Sequence, residues 1–404
     1  ESDSVVGTAL VDMYVKCGSL EKAQKVLEEL PIKDASSWNA LIAGYIQNEL
    51  SEDALKCFVK MQEKGFSPDA VTVVCILKAC SNLGSAEKGE NIHSDLLKLG
   101  LLGTTDIVVG TALVGMYAKC GELLRAYQVL EGLPVRNVVS WSALLSGYVQ
   151  HGQSHKALRC FEQMLCEGIS PDAVTYICIL KACGIVKDID KGKEIHDEIM
   201  RKGMLVKDIV LGNALVDMYA KCGALPKARK VLQELRVRDV VSWNALIGGY
   251  SQQEQCYEAI ECFEWMQTEG VSPDAVTFIC ILKACGSLGA INKGKEMHTL
   301  IISIGMLDKN IELGNTLVDM YVKCREIEIA QKVFRELPSR DAVSWNVLIS
   351  GYVQKGEYAN ALNCFEWMQT EDISPDLVTF ICILKACNGI GYINKGKQIH
   401  DMIL

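Results

Sequence analysis

Four tryptophans, Trp38, Trp141, Trp243 and Trp345, recur at steps of 103, 102 and 102 residues. Pro68, Pro171, Pro273 and Pro375 keep nearly the same step, as do His93, His196, His298 and His400. A long fixed period marks a stacked array, in which each repeat buries its apolar face only against its neighbours. A residue that returns once per period is therefore assigned to architecture first. Function is sought where the copies differ.

Each period divides into three repeats of distinct length. Residues 209–310 give 31 residues (209–239), 35 residues (240–274) and 36 residues (275–310). Across the chain the short repeats are 4–34, 107–137, 209–239 and 311–341. The middle repeats are 35–69, 138–172, 240–274 and 342–376, and the long repeats are 70–106, 173–208, 275–310 and a partial 377–404. Each repeat reads as two helices. In 240–274, Trp243, Leu246, Ile247 and Tyr250 follow the i, i+3, i+4, i+7 spacing of an amphipathic helix, and Ser242 is expected as its N-cap. Ala259, Ile260, Phe263 and Met266 mark a second helix, which Gly270 and Pro273 end. No segment alternates long enough for a half-buried strand. Eleven complete helical hairpins and a short twelfth follow from this phase. The longest apolar runs are too short to span a bilayer.

The formal net charge of −9 counts against a bulk polyanion binder, though not against one with basic residues on a single face. Sixteen of the 18 cysteines fall into four classes that recur once per period: Cys17/120/222/324, Cys57/160/262/364, Cys75/178/280/382 and Cys80/183/285/387. With no Cys-x-x-Cys anywhere, they read as small apolar packing residues in a reducing compartment. No metal and no cofactor is expected. No opening stretch reads as a signal or transit peptide.

Three segments define the three classes: Val-Val-Ser-Trp-Asn-Ala-Leu-Ile-Gly-Gly-Tyr (240–250), Phe-Ile-Cys-Ile-Leu-Lys-Ala-Cys (278–285) with Gly-Lys-Glu-Met-His (294–298), and Gly-Asn-Ala-Leu-Val-Asp-Met-Tyr-Ala-Lys-Cys-Gly (212–223). They resemble the P, L and S motifs of plant pentatricopeptide repeat (PPR) proteins. The resemblance covers nearly the whole chain. It implies an all-α, right-handed superhelical solenoid that binds single-stranded RNA at about one base per repeat. For the PLS subclass it implies site recognition for C-to-U editing in mitochondria or chloroplasts. A deaminase domain would carry Pro-Cys-x-x-Cys, which is absent from this sequence. The expected role is thus address reading without catalysis. An RNA-stabilising or processing factor and a protein-binding scaffold are the alternatives.

In the resembled family the fifth and last residues of a repeat contact the base. Here the middle repeats offer Asn39/Asp69, Ser142/Asp172, Asn244/Asp274 and Asn346/Asp376. The short repeats offer Thr8/Asp34, Thr111/Asn137, Asn213/Asp239 and Asn315/Asp341. All are short polar groups able to hydrogen-bond a base edge. An Asp or Asn before a helix also fits an N-cap, and the two roles can coexist. The long repeats carry Val74, Ile177, Ile279 and Ile381 at the fifth position, which cannot read a base by hydrogen bonds. Second-position valines (Val108, Val139, Val210, Val241, Val276, Val343) are implied to sandwich bases, with Ser36 and Glu312 departing from the pattern. Helix-face spacing sets Lys78, Lys181, Lys283 and Lys385 four residues after the long-repeat fifth position. Lys16, Lys119, Lys221 and Lys323 lie eight after the short-repeat fifth position. If the fifth positions line the concave groove, these lysines form a basic track for phosphates. By the family's correspondence the target reads 5′-GUnAGnUUnUU-3′.

Overall fold

In a computed structural model, residues 2–30, 34–98, 107–206 and 208–403 are described. The end of the first long repeat (99–106) and Leu404 lie outside them. Among the described residues there are 24 α-helices, two single turns of 3-10 helix and no strand. The period 209–310 shows the pattern: Ile209–Lys221 and Leu225–Glu234, then Val240–Gln252 and Cys256–Thr268, then Ala275–Leu288 and Ile291–Ile304. The helices fall into two compact blocks, residues 1–191 and 192–404. Within each block the first helices of successive repeats pack side by side. Each second helix there packs on the first helix of its own hairpin and on that of the next.

The core is the helical stripe read from the sequence. Trp243, Leu246, Ile247, Ala259, Phe263 and Met266 are fully buried, with Tyr250 nearly so. Burying each large side chain stabilises the stack by about 1.5–3 kcal/mol. Trp243 meets Trp265 edge-on at 4.7 Å, and Trp345 meets Phe334 at 4.6 Å, an arrangement that aromatic quadrupoles favour. The cysteines pack as small apolar groups. Cys57, Cys262, Cys285 and Cys364 are buried thiols whose pKa burial pushes up to about 12, which leaves them protonated and unreactive at neutral pH.

One expectation is corrected. Ser242 is not the N-cap of the middle-repeat helix. Asp239 is, in an extended backbone conformation, and its carboxylate accepts the Ser242 N–H at 2.9 Å. Ser242 sits three residues on, buried, and completes a capping box by accepting the Asp239 N–H at 3.0 Å. The helix starts three residues earlier than Ser242 suggested, because the residue that satisfies its first N–H groups is the last of the preceding repeat.

Two recurrent contacts set the spacing between repeats. The first helix of each middle repeat presents a glycine to the preceding short repeat. A Cβ placed at Gly249 would lie 2.7 Å from the Ala220 Cβ, and one at Gly147 2.6 Å from the Ala118 Cβ. The second contact joins each long repeat to the next short one. Hydrogen bonds link His93 to Tyr117 (3.0 Å), His196 to Tyr219 (2.9 Å) and His298 to Tyr321 (2.8 Å). Half-burial holds all three imidazoles below their ordinary pKa.

Gly249→Ala should destabilise the chain by about 1–3 kcal/mol through overpacking, against the roughly 1 kcal/mol that Ala ordinarily gains in a helix. Gly132→Ala, in a helix where a Cβ meets nothing within 4 Å, should be neutral or stabilising. Urea melts of the two variants check this reversal of sign. The histidines predict an acid dependence. A group with a depressed folded pKa contributes stability that is whole above its unfolded value, near 6.5, and is lost as pH falls through the folded value. Tm should therefore decline as pH drops below about 6.5. Replacing His196 and His298 by Gln should flatten that decline, measured by circular dichroism at fixed salt.

Candidate functional site

The last residue of every short and middle repeat is the N-cap of the next repeat's first helix. Asp34, Asp69, Asn137, Asp172, Asp239, Asp274, Asp341 and Asp376 each accept the backbone N–H three residues on, at 2.8–2.9 Å. Capping, set beside base reading as an alternative from sequence, is thus present at all eight positions. Five of these side chains also meet the fifth residue of their own repeat. Asn39 Nδ2 donates to Asp69 at 3.0 Å, Asn213 to Asp239 at 3.0 Å and Asn244 to Asp274 at 2.9 Å. Asn315 donates to Asp341 at 3.2 Å and Asn346 to Asp376 at 2.9 Å. Every Asn/Asp pair named from the sequence is a direct hydrogen-bonded pair.

These pairs sit differently from what an open readout surface suggests. Asn39, Ser142, Asn213, Asn315 and Asn346 are only 6–8% exposed, while their Asp or Asn partners are half-buried or exposed. Burial alone would push up the carboxyls of Asp69, Asp341 and Asp376. The N–H and hydroxyl of Thr72, Ser344 and Thr379, with the amides of Asn39, Asn315 and Asn346, outweigh it and hold all three below the ordinary carboxylate range. They are ionised at neutral pH and can only accept. An amide nitrogen carries two N–H donors and a carboxylate only acceptors, so each Asn/Asp pair sets donor capacity beside an acceptor.

A layer that the sequence reading missed lies behind the pairs. In all four middle repeats the fifth residue meets a threonine at the third position of the following long repeat. Thr72, Thr277 and Thr379 donate from their hydroxyls to the amide oxygens of Asn39, Asn244 and Asn346, each at 2.6 Å. Thr175 and Ser142 pair through their hydroxyls at 2.7 Å. Behind the fifth residues of the short repeats, the third position of the following middle repeat is serine. Only Ser37 reaches back, to Thr8 at 2.8 Å. Ser140 and Ser242 turn to the carbonyls of their own caps, and Ser344 turns to the Asp341 carboxylate. Thr111 Oγ1, Asn213 Oδ1 and Asn315 Oδ1 are left buried without a hydrogen-bond partner among the described residues. The strict alternation of Thr and Ser was visible in the sequence, but only Ser242 was read, as a cap.

The second-position valines are exposed, not core. Val108, Val139, Val210, Val241, Val276 and Val343 expose 53–62% of their surface, and Val5, Val71, Val174 and Val378 repeat the placement at 52–69%. All eight phased lysines are exposed, but their charges are not equivalent. Lys16, Lys221 and Lys323 are tied to Asp12, Asp217 and Asp319, one helical turn back, at 2.7–2.8 Å. Lys119 donates to Asn82 Oδ1 at 3.0 Å. Lys78, Lys181, Lys283 and Lys385 carry no ion pair among the described residues. His196-Asp197-Glu198 is a lone His-x-Glu, and its histidine is the packing group already bound to Tyr219. No group of three metal-ligating side chains occurs among the described residues, and no helix there is long and apolar enough to cross a membrane.

Comparison with known proteins agrees with this geometry. The profile of the PPR repeat family matches residues 33–82, 136–184, 238–287 and 340–388, and that of the PPR repeat matches 8–33, 174–204, 213–240 and 315–341. A mitochondrial pentatricopeptide repeat-containing protein of Arabidopsis thaliana is 33% identical over 98% of this chain and 57% of its own length. A chloroplastic one from the same plant is 36% identical over 98% of this chain and 48% of its own. The chain thus spans about half the length of such relatives. Among solved structures, maize PPR10 in complex with an 18-nucleotide psaJ RNA element superposes with a TM-score of 0.77 at 16% identity, covering 98% of this chain and 60% of that one. With its repeats matched across both blocks, this chain belongs to the pentatricopeptide repeat family.

Proposed function

We propose that the chain is a sequence-specific reader of single-stranded RNA, without catalysis of its own, and that it serves as the recognition array of an organellar C-to-U editing factor of the PLS subclass. The observation that carries this reading is the paired fifth and last residue. At five repeats an amide and a carboxylate are already hydrogen-bonded to each other, and each keeps capacity for a base edge. The exposed valines beside the pairs support it, since apolar surface of that kind has no partner in the fold and suits the faces of stacked bases. The alternation of three repeat lengths supports the subclass. Relatives named mitochondrial and chloroplastic support an organellar setting, mitochondrion or chloroplast. The target of this reading is 5′-GUnAGnUUnUU-3′, with the long repeats silent.

Affinity on this reading comes from lysines against phosphates, so it falls with salt. The ion pairs sort the lysines. Replacing Lys181, Lys283 and Lys385 by Ala should weaken all RNAs alike and reduce the salt slope by about one per lysine. The same change at Lys16, Lys221 and Lys323, whose charges Asp12, Asp217 and Asp319 already offset, should do less. A fluorescence-anisotropy salt titration of both triple variants measures the difference.

Base identity is tested at one repeat. Asn244→Thr should convert its preference from U to G, with each mismatch costing roughly 1–3 kcal/mol by analogy with side-chain contacts in duplex readout. The fold should tolerate the change, because Ser142 shows that a hydroxyl at this position finds the third-position threonine. Competition binding with U or G at that single nucleotide decides the matter. The same preference in both proteins would remove the fifth position from any account of specificity.

A further inference from the structure

The same Asn/Asp pair occurs in both a middle and a short repeat, and the two are not held alike. In the middle repeat, Asn244 is fixed at both ends of its amide: Nδ2 donates to Asp274 at 2.9 Å and Oδ1 accepts from Thr277 at 2.6 Å. In the short repeat just before it, Asn213 is fixed at one end only. Its Nδ2 donates to Asp239 at 3.0 Å, but its Oδ1 is buried with no partner among the described residues. Asn346 and Asn315 repeat the contrast in the next period: Thr379 bonds the Asn346 oxygen at 2.6 Å, and the Asn315 oxygen is unpartnered. One hydroxyl makes the difference. The Thr277 hydroxyl sits between two acceptors, the Asn244 oxygen across the junction at 2.6 Å and the carboxylate of its own cap, Asp274, at 3.0 Å. Ser242 and Ser344 meet their own caps alone, Ser242 the Asp239 carbonyl at 2.8 Å and Ser344 the Asp341 carboxylate at 2.9 Å.

We propose that the third-position threonines Thr72, Thr175, Thr277 and Thr379 are positioning residues for base discrimination. Each locks the reading residue of the preceding middle repeat, whereas Ser140, Ser242 and Ser344 at the same place leave Thr111, Asn213 and Asn315 unlocked, and only Ser37 reaches its short-repeat residue, Thr8. This rests on the reading of the fifth position as base-reading. With both ends of the Asn244 amide held, its remaining N–H has one direction. A base carbonyl placed there is accepted, and a base amino group meets a donor that cannot turn away. Asn213 and Asn315 lack that second restraint, and their orphaned oxygens, costly to leave buried unpaired, favour reorientation toward any base donor. Middle repeats therefore discriminate among bases more sharply than short repeats that carry the identical pair. Specificity rises and falls along the array with repeat class, not with the fifth and last residues alone.

The test compares binding of RNAs that differ only at the nucleotide opposite Asn244 or opposite Asn213, with U or C at each. In the unmodified chain the U-over-C ratio should be larger opposite Asn244. Thr277→Ser, which retains a hydroxyl for the capping box, should reduce the ratio opposite Asn244 by about threefold to tenfold, the worth of one hydrogen bond, and leave the ratio opposite Asn213 unchanged. Thr379→Ser should do the same opposite Asn346 alone. A merely structural threonine would alter Tm or lower affinity for every RNA, without moving the ratio at one nucleotide. Asn244→Thr is the control. If it switches preference while Thr277→Ser and Thr379→Ser leave every ratio as it was, the positioning role is overturned and the reading of the fifth position stands. If Asn244→Thr also changes nothing, the reading itself falls and the positioning role with it.

Discussion

The structure depends on one side chain placed at the joint between repeats. The last residue of a short or middle repeat caps the next first helix, and four N–H groups at each helix start need such a partner. The cap contributes about 1 kcal/mol at each site. Because that residue lies outside the helix it caps, its other face remains free to meet the preceding repeat. There it takes the amide of Asn39, Asn213, Asn244, Asn315 or Asn346. The same carboxylate thus registers neighbouring helices and orients the residue proposed to read RNA. Two consequences follow. The last position cannot be exchanged without touching the fold, while the fifth position can. And a base-reading group held by the scaffold pays little ordering entropy on binding, the condition for discrimination by single hydrogen bonds.

Much of this was legible in the sequence, because a period of about a hundred residues repeats every packing decision four times over. The stripe from Trp243 to Tyr250 and the Ala259, Phe263 and Met266 face are core as their spacing required. The pairing of fifth with last residues was carried by resemblance, and the direct hydrogen bonds give it a physical form. What escaped was a matter of direction. Ser242 was expected to cap, since a serine before an apolar stripe reads that way. Three residues before it stands an aspartate that does so better, and which of the two capped depended on where the helix began. The paired state of Lys221 and the unpaired state of Lys283 were written in the sequence too, as Asp217 at i−4 against Ile279 at i−4. Reading lysines only by their phase hid this.

A strict repeat would read every base with equal stringency; on the proposed reading the joints behind the fifth residues are not alike. Three repeat classes meet at three kinds of joint, and each joint supplies different chemistry behind the fifth residue. Entering a long repeat, the joint supplies threonine and a closed hydrogen-bond set. Entering a middle repeat, it supplies serine and, in three of four copies, an open acceptor or hydroxyl. The long repeats themselves present Val74, Ile177, Ile279 and Ile381, with no polar edge to offer. Their lysines, without an ion pair among the described residues, lie one turn along the same face, so these repeats bring charge where the others carry the residues proposed to read bases. The net charge of −9 is no obstacle to this arrangement. Three short-repeat lysines are offset by aspartates within a helical turn, and those charges cancel locally within a Debye length of about 10 Å. The phased lysines without an ion pair among the described residues are Lys119, which meets only the neutral Asn82 amide, and one in each long repeat. On the proposed reading, affinity and specificity fall to different repeats of one period, so that either changes by substitution without the other.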